Sequence, residues 1–117
     1  MYDDVLRSNA TDLSSSESSV AGVDVGVDLV PRTLMVHVPT SPTGTTPTLD
    51  VKIQESDNNS TWRDLGVFPQ INAAGQYFIT LKSNARYRRY VATLGGTTPN
   101  FGKTLIAYVP AGEYTNW

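Results

Sequence analysis

The side chains in this sequence that could carry out acid–base or nucleophilic chemistry are few and widely spaced. His37 is the only histidine and there is no cysteine, which excludes a thiol nucleophile, a thiolate metal site and a cluster of imidazole ligands. His37 would have to serve as the base of any hydrolytic triad. It lies between Val36 and Val38 on the predicted outer face of a strand, where a solvated or interface side chain is expected.

Asp50, Asp57 and Asp64 are the candidates for a carboxylate pair of the kind that cleaves glycosidic bonds. Such a pair must face across a cleft, whereas the neighbours of these aspartates are typical of a strand exterior and a turn. Gly95 and Gly96 do not begin a phosphate-binding loop, because Thr-Thr-Pro follows them instead of Lys-Ser/Thr opening a helix. We therefore predict that the protein is not an enzyme and has no catalytic residue, cofactor site or metal site.

Arginines and tyrosines near residue 88 are better suited to binding than to catalysis. Arg86, Arg88 and Arg89, with a tyrosine after the first and after the last, form a cationic and aromatic cluster. The cluster can pair with acidic groups of a partner or stack against it. The alternative is an outward row of arginines that pairs with acids of the same chain, such as Asp50.

The segments that would position these groups alternate apolar and polar residues, which is the pattern of strands with one buried face. The clearest is Thr48–Gly66, in which Leu49, Val51 and Ile53 alternate with polar residues before a turn of Ser, Asp and Asn, after which Trp62, Leu65 and Val67 resume a strand. The same alternation predicts these further buried sets: Val23, Val25, Val27 and Leu29; Leu34, Val36 and Val38; Tyr77, Ile79 and Leu81; Tyr90, Ala92 and Leu94; Leu105, Ala107 and Val109.

The strand pattern predicts an all-β fold, namely an antiparallel β-sandwich or jelly roll of about seven or more short strands. All seven prolines fall between the predicted strands, and Thr40–Pro47 and Gly95–Asn100 are predicted loops. No internal repeat is evident. A chain of 117 residues forms one such domain, which we place at residues 21–117. We expect neither a signal peptide nor a membrane span.

Residues 1–20 have a different composition, with a run of serines after several charged residues and few apolar side chains. This segment is either a mobile terminus or an extended arm that becomes ordered on a neighbouring subunit. Two aromatic residues near the C-terminus suit the same role. The terminal residues that we predict to anchor partner contacts are Tyr2, Val5, Leu6, Leu13, Tyr114 and Trp117.

The net charge of −2 is unevenly distributed along the chain. Residues 1–60 contain nine acids and three bases, a net of −6, and residues 61–117 contain two acids and six bases, a net of +4. In a compact β domain the halves interleave and their charges cancel; otherwise the asymmetry favours head-to-tail self-association or a charged partner surface. The overall basic excess of a nucleic-acid-binding protein is absent.

Four stretches carry a resemblance to a known family. They are V-D-V-G from Val23 to Gly26, L-D-V-K-I-Q-E-S-D followed by Trp62, R-Y-R-R-Y-V-A from Arg86 to Ala92, and Gly96 through Phe101-Gly102 into the last strand. Over roughly residues 20–110 the chain resembles the capsid cement (decoration) proteins of tailed bacteriophages.

The resemblance implies a small β-sandwich that forms homotrimers on the outside of the capsid, at local or strict threefold positions. There it would hold neighbouring major capsid proteins together against the pressure of the packaged DNA. The expected location is the exterior of the virion, after assembly in the host cytoplasm, with no nucleic acid, membrane or small-molecule substrate as partner. The terminal anchors and Arg86, Arg88 and Arg89 are the expected contact residues.

The alternative function is a carbohydrate-binding β-sandwich module of a fibre or hydrolase. In that case Trp62 would contribute an aromatic platform for a sugar ring, whereas in a purely structural role it would cover the core of the sandwich.

Overall fold

Two four-stranded antiparallel sheets pack face to face in the computed structural model, which describes residues 3–18, 20–28 and 30–109. Sheet A has the strand order β1-β8-β3-β6 and sheet B has the order β2-β7-β4-β5. The predicted all-β antiparallel sandwich is thereby confirmed. Within the described ranges, no helix is long and apolar enough to cross a membrane. The eight strands are β1 (Asp3–Arg7), β2 (Val23–Asp24), β3 (Arg32–Val38), β4 (Thr43–Ser56), β5 (Arg63–Val67), β6 (Gly75–Leu81), β7 (Tyr87–Asn100) and β8 (Leu105–Tyr108).

The core between the sheets is built from the alternating residues of four strands. Their side chains form one cluster because every second residue of each strand points inward. The predicted buried sets of these strands are confirmed: Leu34, Val36 and Val38 on β3; Leu49, Val51 and Ile53 on β4; Tyr77, Ile79 and Leu81 on β6; Tyr90, Ala92 and Leu94 on β7.

The last strand, β8, faces the opposite way from the prediction. Ile106 lies in the main core, whereas Leu105 and Ala107 form a separate cluster with Met35, against which Val109 packs. Ala107 is opposite Met35 in the ladder, so both point away from the core. The prediction of Leu105, Ala107 and Val109 as the inward set is wrong, because β8 is apolar at every position and no polar residue marks an outer face.

The segment around β2 is not the long strand that alternation predicted. Only Val23 and Asp24 pair with β7, and Val27 is exposed. Gly26 has a φ of 73° and its N–H donates to the Asp24 carboxylate, so the chain turns away from the sheet at this point. Leu29, which the prediction placed on the buried side, lies outside the described residues.

Residues 3–18 pack on the body of the domain. β1 pairs with β8, and Leu13 is completely buried and accepts a 2.8 Å hydrogen bond from the N–H of Phe101. Glu17 exchanges two backbone hydrogen bonds of 2.8 Å with Ala92 on β7. The predicted extended N-terminal arm is therefore not confirmed. Instead, this segment is a broken strand that covers one edge of β7.

The two longest strands, β4 and β7, continue through both segments that were predicted as loops. They pair as far as Thr43 opposite Asn100. Pro47 lies within β4 and Pro99 within β7, so the prediction that every proline falls between strands is wrong. Register shifts interrupt the ladder on both sides of Thr45, and such bulges are where a paired strand tolerates proline.

The sequence Gly-Thr-Thr-Pro occurs once in β4 and once in β7, and the two copies lie opposite each other. Gly44 and Gly96 have φ values of 106° and 94°, and Thr46 and Thr98 both have a φ of 47°. A Cβ atom on Gly44 would lie 2.6 Å from the carbonyl oxygen of Thr98, and one on Gly96 would lie 2.5 Å from that of Thr46. The copies are related by a local two-fold axis and form an internal repeat, which corrects the sequence analysis.

Candidate functional site

The outward side of sheet A is uncharged over three of its four strands. β6 and β8 contain no Asp, Glu, Lys or Arg, and the one such residue in β3, Arg32, lies over the ring of the core residue Tyr108, 4.1 Å from its centroid. By contrast, the outward side of sheet B carries charged residues. Examples are Lys52 and Arg89, which alternate along their strands with the core residues. We call the outward side of sheet A the neutral face. Its residues are Val5, Thr33, Met35, His37, Gln76, Phe78, Thr80, Leu105, Ala107 and Val109.

One apolar row crosses all four strands of the neutral face. Val5, Ala107, Met35 and Phe78 are successive cross-strand partners from β1 to β6. Ala107 and Met35, in the middle, are 0% and 2% exposed, whereas Val5 and Phe78, at the ends, are 39% and 51% exposed. Covering the exposed half of a phenylalanine stabilises a complex by roughly 1 kcal/mol, so both ends of the row favour contact with another surface.

The pairing of β3 with β6 holds this row in register. The ladder runs from Arg32 opposite Leu81 to Val38 opposite Gly75 without a shift. Beside the row, the hydroxyls of Thr33 and Thr80 are hydrogen-bonded at 2.9 Å. The sheet therefore holds the exposed Val5 and Phe78 at the two edges of one uncharged face, where they can make apolar contact with a partner, whereas Met35 and Ala107 between them are already buried.

Two of the predicted contact arginines already pair within the chain. Arg88 is completely buried, and its Nη2 lies 3.1 Å from Oδ2 of the buried Asp28. Arg86 is exposed, and its Nε donates to the carboxylate of Asp24 on β2 at 3.2 Å. The hydrogen bond from Arg86 holds the pKa of Asp24 below its usual value. Neither hypothesis of the sequence analysis placed Arg88 in the interior, and Asp50, the acid it named, contacts Gln70 instead.

Arg89 covers one face of the Trp62 ring. Its Cζ lies 4.5 Å from the ring centroid, and its Nε donates to the Gln54 side chain at 2.7 Å. The backbone at Gly22 is also close, since a Cβ there would lie 2.7 Å from the indole. The guanidinium occupies a face on which a sugar ring would have to stack. This arrangement weighs against the carbohydrate-binding alternative.

The opposite charges of the two halves of the chain are paired in space. Acids of residues 1–60 form ion pairs with bases of residues 61–117 on neighbouring strands and loops, as expected for interleaved halves. The asymmetry along the sequence therefore does not produce two oppositely charged ends. These pairs are Asp12–Lys103, Asp24–Arg86, Asp28–Arg88, Glu55–Arg63 and Asp57–Arg63.

A polar network fixes the N-terminal segment to β7. The Nε and Nη2 atoms of Arg7 lie 3.0 and 3.1 Å from the two carboxylate oxygens of Glu17, to which the Tyr90 hydroxyl also donates. Burial by itself would raise the pKa of Glu17, but the hydrogen bonds from Arg7 and Tyr90 outweigh it and hold the pKa below its usual value. Burial and the hydrogen bond to Glu17 raise the pKa of Tyr90 to about 12. Nη1 of Arg7 also donates to the carbonyl oxygen of Thr104 at 2.7 Å. The network therefore has a structural role, because its side chains hydrogen-bond one another and the backbone.

A cleft of about 570 Å³ opens at one end of the sandwich, beside the paired Gly-Thr-Thr-Pro segments. It is lined by His37, by Pro39 and by the Asp12–Lys103 pair, whose charged atoms are 3.4 Å apart. Among the residues that the structure describes, no group of three or more histidines and carboxylates is placed to hold a metal ion. The cleft contains one imidazole and one ion pair, and its lining is mainly apolar.

The remaining predicted contact residues lie in different environments. Val5 is on the neutral face, Leu6 packs against the core and Leu13 is inside it, so Leu13, like Arg88, offers no surface in this fold. Tyr2, Tyr114 and Trp117 lie outside the described residues. The alternation of β6 predicted Phe78 on the face opposite Tyr77, Ile79 and Leu81, and it is exposed there, but Phe78 was not predicted as a contact residue.

A scan against models of protein families, a search of curated proteins and a search of solved structures each found no match.

Proposed function

We propose that this protein is a structural component of a bacteriophage virion that binds the outside of the capsid and cements neighbouring major capsid proteins. The neutral face is the observation that carries the proposal. A cement protein requires a rigid surface that remains bound, and an uncharged face of a four-stranded sheet with an exposed apolar residue at each edge, Val5 and Phe78, suits that requirement. Because most charged side chains described here are paired within the chain, partner contacts depend on shape and apolar area more than on charge. The protein has no catalytic role in this proposal.

The size of the neutral face supports binding in several copies. Three strand spacings of about 4.8 Å and seven residues of about 3.3 Å limit the footprint to roughly 300–400 Å² at most, and the buried Met35, Leu105 and Ala107 within it leave less than this for a partner. A stable interface buries on the order of 1,200 Å² or more in total. A homotrimer, as the resemblance implies, would present three such faces at once and gain affinity through multivalency. The partner is the major capsid protein, and the location is the exterior of the virion.

Binding to expanded capsid shells of the cognate phage tests the proposal. The wild-type chain is expected to co-sediment with shells and to make them more resistant to heat. Val5→Asp is expected to weaken binding at least tenfold, because it places a charge at one end of the apolar row. Val67→Asp is the matched control, since Val67 is exposed on sheet B.

Failure of the wild-type chain to bind shells, or equal binding by both variants, would contradict the proposal. Specific binding on a glycan array that Trp62→Ala abolishes would favour a carbohydrate-binding module instead.

A further inference from the structure

The edge strands of the two sheets expose backbone groups that could pair with further strands. A sandwich of two open sheets has four edge strands, each with a row of unpaired N–H and C=O groups. In this protein the edge strands are β1 and β6 in sheet A and β2 and β5 in sheet B. Natural proteins protect such edges with bulges, charges or short strands, because an unprotected edge pairs with other chains.

Three of the four edges carry these protective features. The pairing of β1 with β8 has two register shifts, and β2 is only two residues long. β5 contains Arg63 and Asp64, and its pairing with β4 shifts register at Ile53. A further strand cannot follow any of these edges over a useful length.

The fourth edge, β6, has none of these features. Gly75–Leu81 contains no charged residue and no proline, and it pairs with β3 without a register shift. In the part of the chain that the structure describes, no strand pairs with the other side of β6. Gln76, Phe78 and Thr80 are exposed on the neutral face at this edge. A straight, neutral strand with a half-exposed phenylalanine at its centre is therefore open to pairing.

We infer that β6 pairs in antiparallel orientation with β6 of a second copy of this chain. A two-fold axis at Phe78 places the two Phe78 rings side by side and Gln76 opposite Thr80 of the second copy. Charge favours a second copy as the occupant, because self-pairing of an uncharged edge brings no like charges together. The two A sheets become one eight-stranded sheet, and their neutral faces become continuous.

The contact area sets the expected strength. One strand pair and two phenylalanine rings bury less than the roughly 1,200 Å² of a standard interface, so the dimer is expected to form only at high protein concentration. The aromatic pair contributes about 0.5–1.5 kcal/mol beyond its area. This two-fold contact is separate from the threefold contact of the proposed function and does not rest on it.

Sedimentation of the full chain over a wide concentration range tests the pairing. The average mass of the wild-type protein is expected to rise towards twice its low-concentration value, which is from one to two chains for a monomer and from three to six chains for a trimer. Phe78→Lys is expected to weaken dimerisation at least tenfold, because two lysines would face each other at the axis, while the melting temperature stays near that of the wild type. Val67→Lys is the control, since Val67 is 60% exposed but lies on the protected edge β5.

A cysteine variant gives an independent readout. The chain has no cysteine, so Phe78→Cys provides one thiol at the axis, within reach of its copy across the strand pair. It is expected to form disulfide-linked dimers faster than Val67→Cys on mild oxidation. Equal cross-linking rates, or an oligomer whose mass Phe78→Lys leaves unchanged, would overturn the inference. A trimer in Phe78→Lys that no longer doubles in mass at high concentration would support both contacts, whereas a trimer of equal mass in the wild type and in Phe78→Lys at every concentration would preserve the threefold contact of the proposed function and refute this one.

Discussion

Arg88 and Asp28 form an ion pair inside the sandwich, with side chains that are at most 1% exposed. Nη1 of Arg88 also donates to the carbonyl of Ala85 at 2.5 Å, and Asp28 accepts from the N–H of Ser83 at 3.0 Å. The pair joins β7 to the chain between β2 and β3. Arg32, which is partly exposed, also approaches Asp28, with 4.0 Å between Nη1 and Oδ1. The loss of Arg88 therefore leaves the buried carboxylate with only this longer ion pair, and the loss of Asp28 leaves the buried guanidinium without an acidic partner.

Replacing Arg88 should therefore destabilise the fold strongly. Arg88→Ala is expected to lower the free energy of unfolding by about 3–5 kcal/mol, measured by urea denaturation. Arg86→Ala, two positions away in the sequence, removes an exposed ion pair and is expected to have little effect. Similar losses in both variants would mean that Arg88 is not enclosed in solution.

The paired Gly-Thr-Thr-Pro segments predict matched effects at two glycines. Gly44→Ala and Gly96→Ala should each lower the free energy of unfolding by roughly 2 kcal/mol or more, because a Cβ meets a carbonyl oxygen and a positive φ is unfavourable for alanine. Gly26→Ala is the control, since its φ is also positive but no atom lies within 4 Å of the added Cβ. It should cost only about 1–2 kcal/mol. Thermal unfolding of the three variants measures the difference in stability. If alanine were tolerated at only one of Gly44 and Gly96, the result would contradict the local symmetry.

The Tyr90 hydroxyl predicts a loss of stability at alkaline pH. Its pKa is raised from 10.0 to about 12 in the folded protein, so the folded state favours the neutral hydroxyl. The resulting stabilisation is fully present below pH 10 and is lost as the pH rises towards 12. Urea denaturation at pH 9 and pH 11 should show a smaller alkaline loss for Tyr90→Phe than for the wild type. Identical losses would show that Tyr90 ionises normally in the folded protein.

The burial of Leu13 predicts that the N-terminal segment contributes to stability in the free protein. Leu13→Ala is expected to cost about 2–5 kcal/mol, whereas the same change at the exposed Val27 should cost little. Limited proteolysis should leave residues 3–18 intact in the wild type and cleave them in Leu13→Ala. Rapid cleavage of this segment from an otherwise intact wild-type domain would instead favour an arm that becomes ordered on assembly.

Alternation identified the inward residues of β3, β4, β6 and β7 because the positions between them are mostly polar, with Met35, Phe78 and Val91 as apolar exceptions. Such a strand has only one face that can be buried without cost, so local sequence decides its orientation. The repeated Gly-Thr-Thr-Pro was also visible in the sequence. The paired bulges that this repeat forms could not be predicted from the sequence, because proline and glycine more often mark loops than paired bulges.

The tertiary structure decided the features for which local sequence offered two equivalent choices. β8 is apolar on both faces, so its pairing with β3 determines that Ile106 points inward and Ala107 outward. Arg88 lies at the same alternate positions of β7 as the core residues Tyr90 and Ala92. Its charge would ordinarily favour solvent, and it is buried because Asp28, 60 positions away, supplies the opposite charge. Leu13 is one apolar residue in a polar segment, and its burial depends on a space formed by distant strands. The sequence by itself determined the class of fold and four of its inward faces. Contacts between residues far apart in the chain determined the rest, because they select which apolar or charged groups are covered.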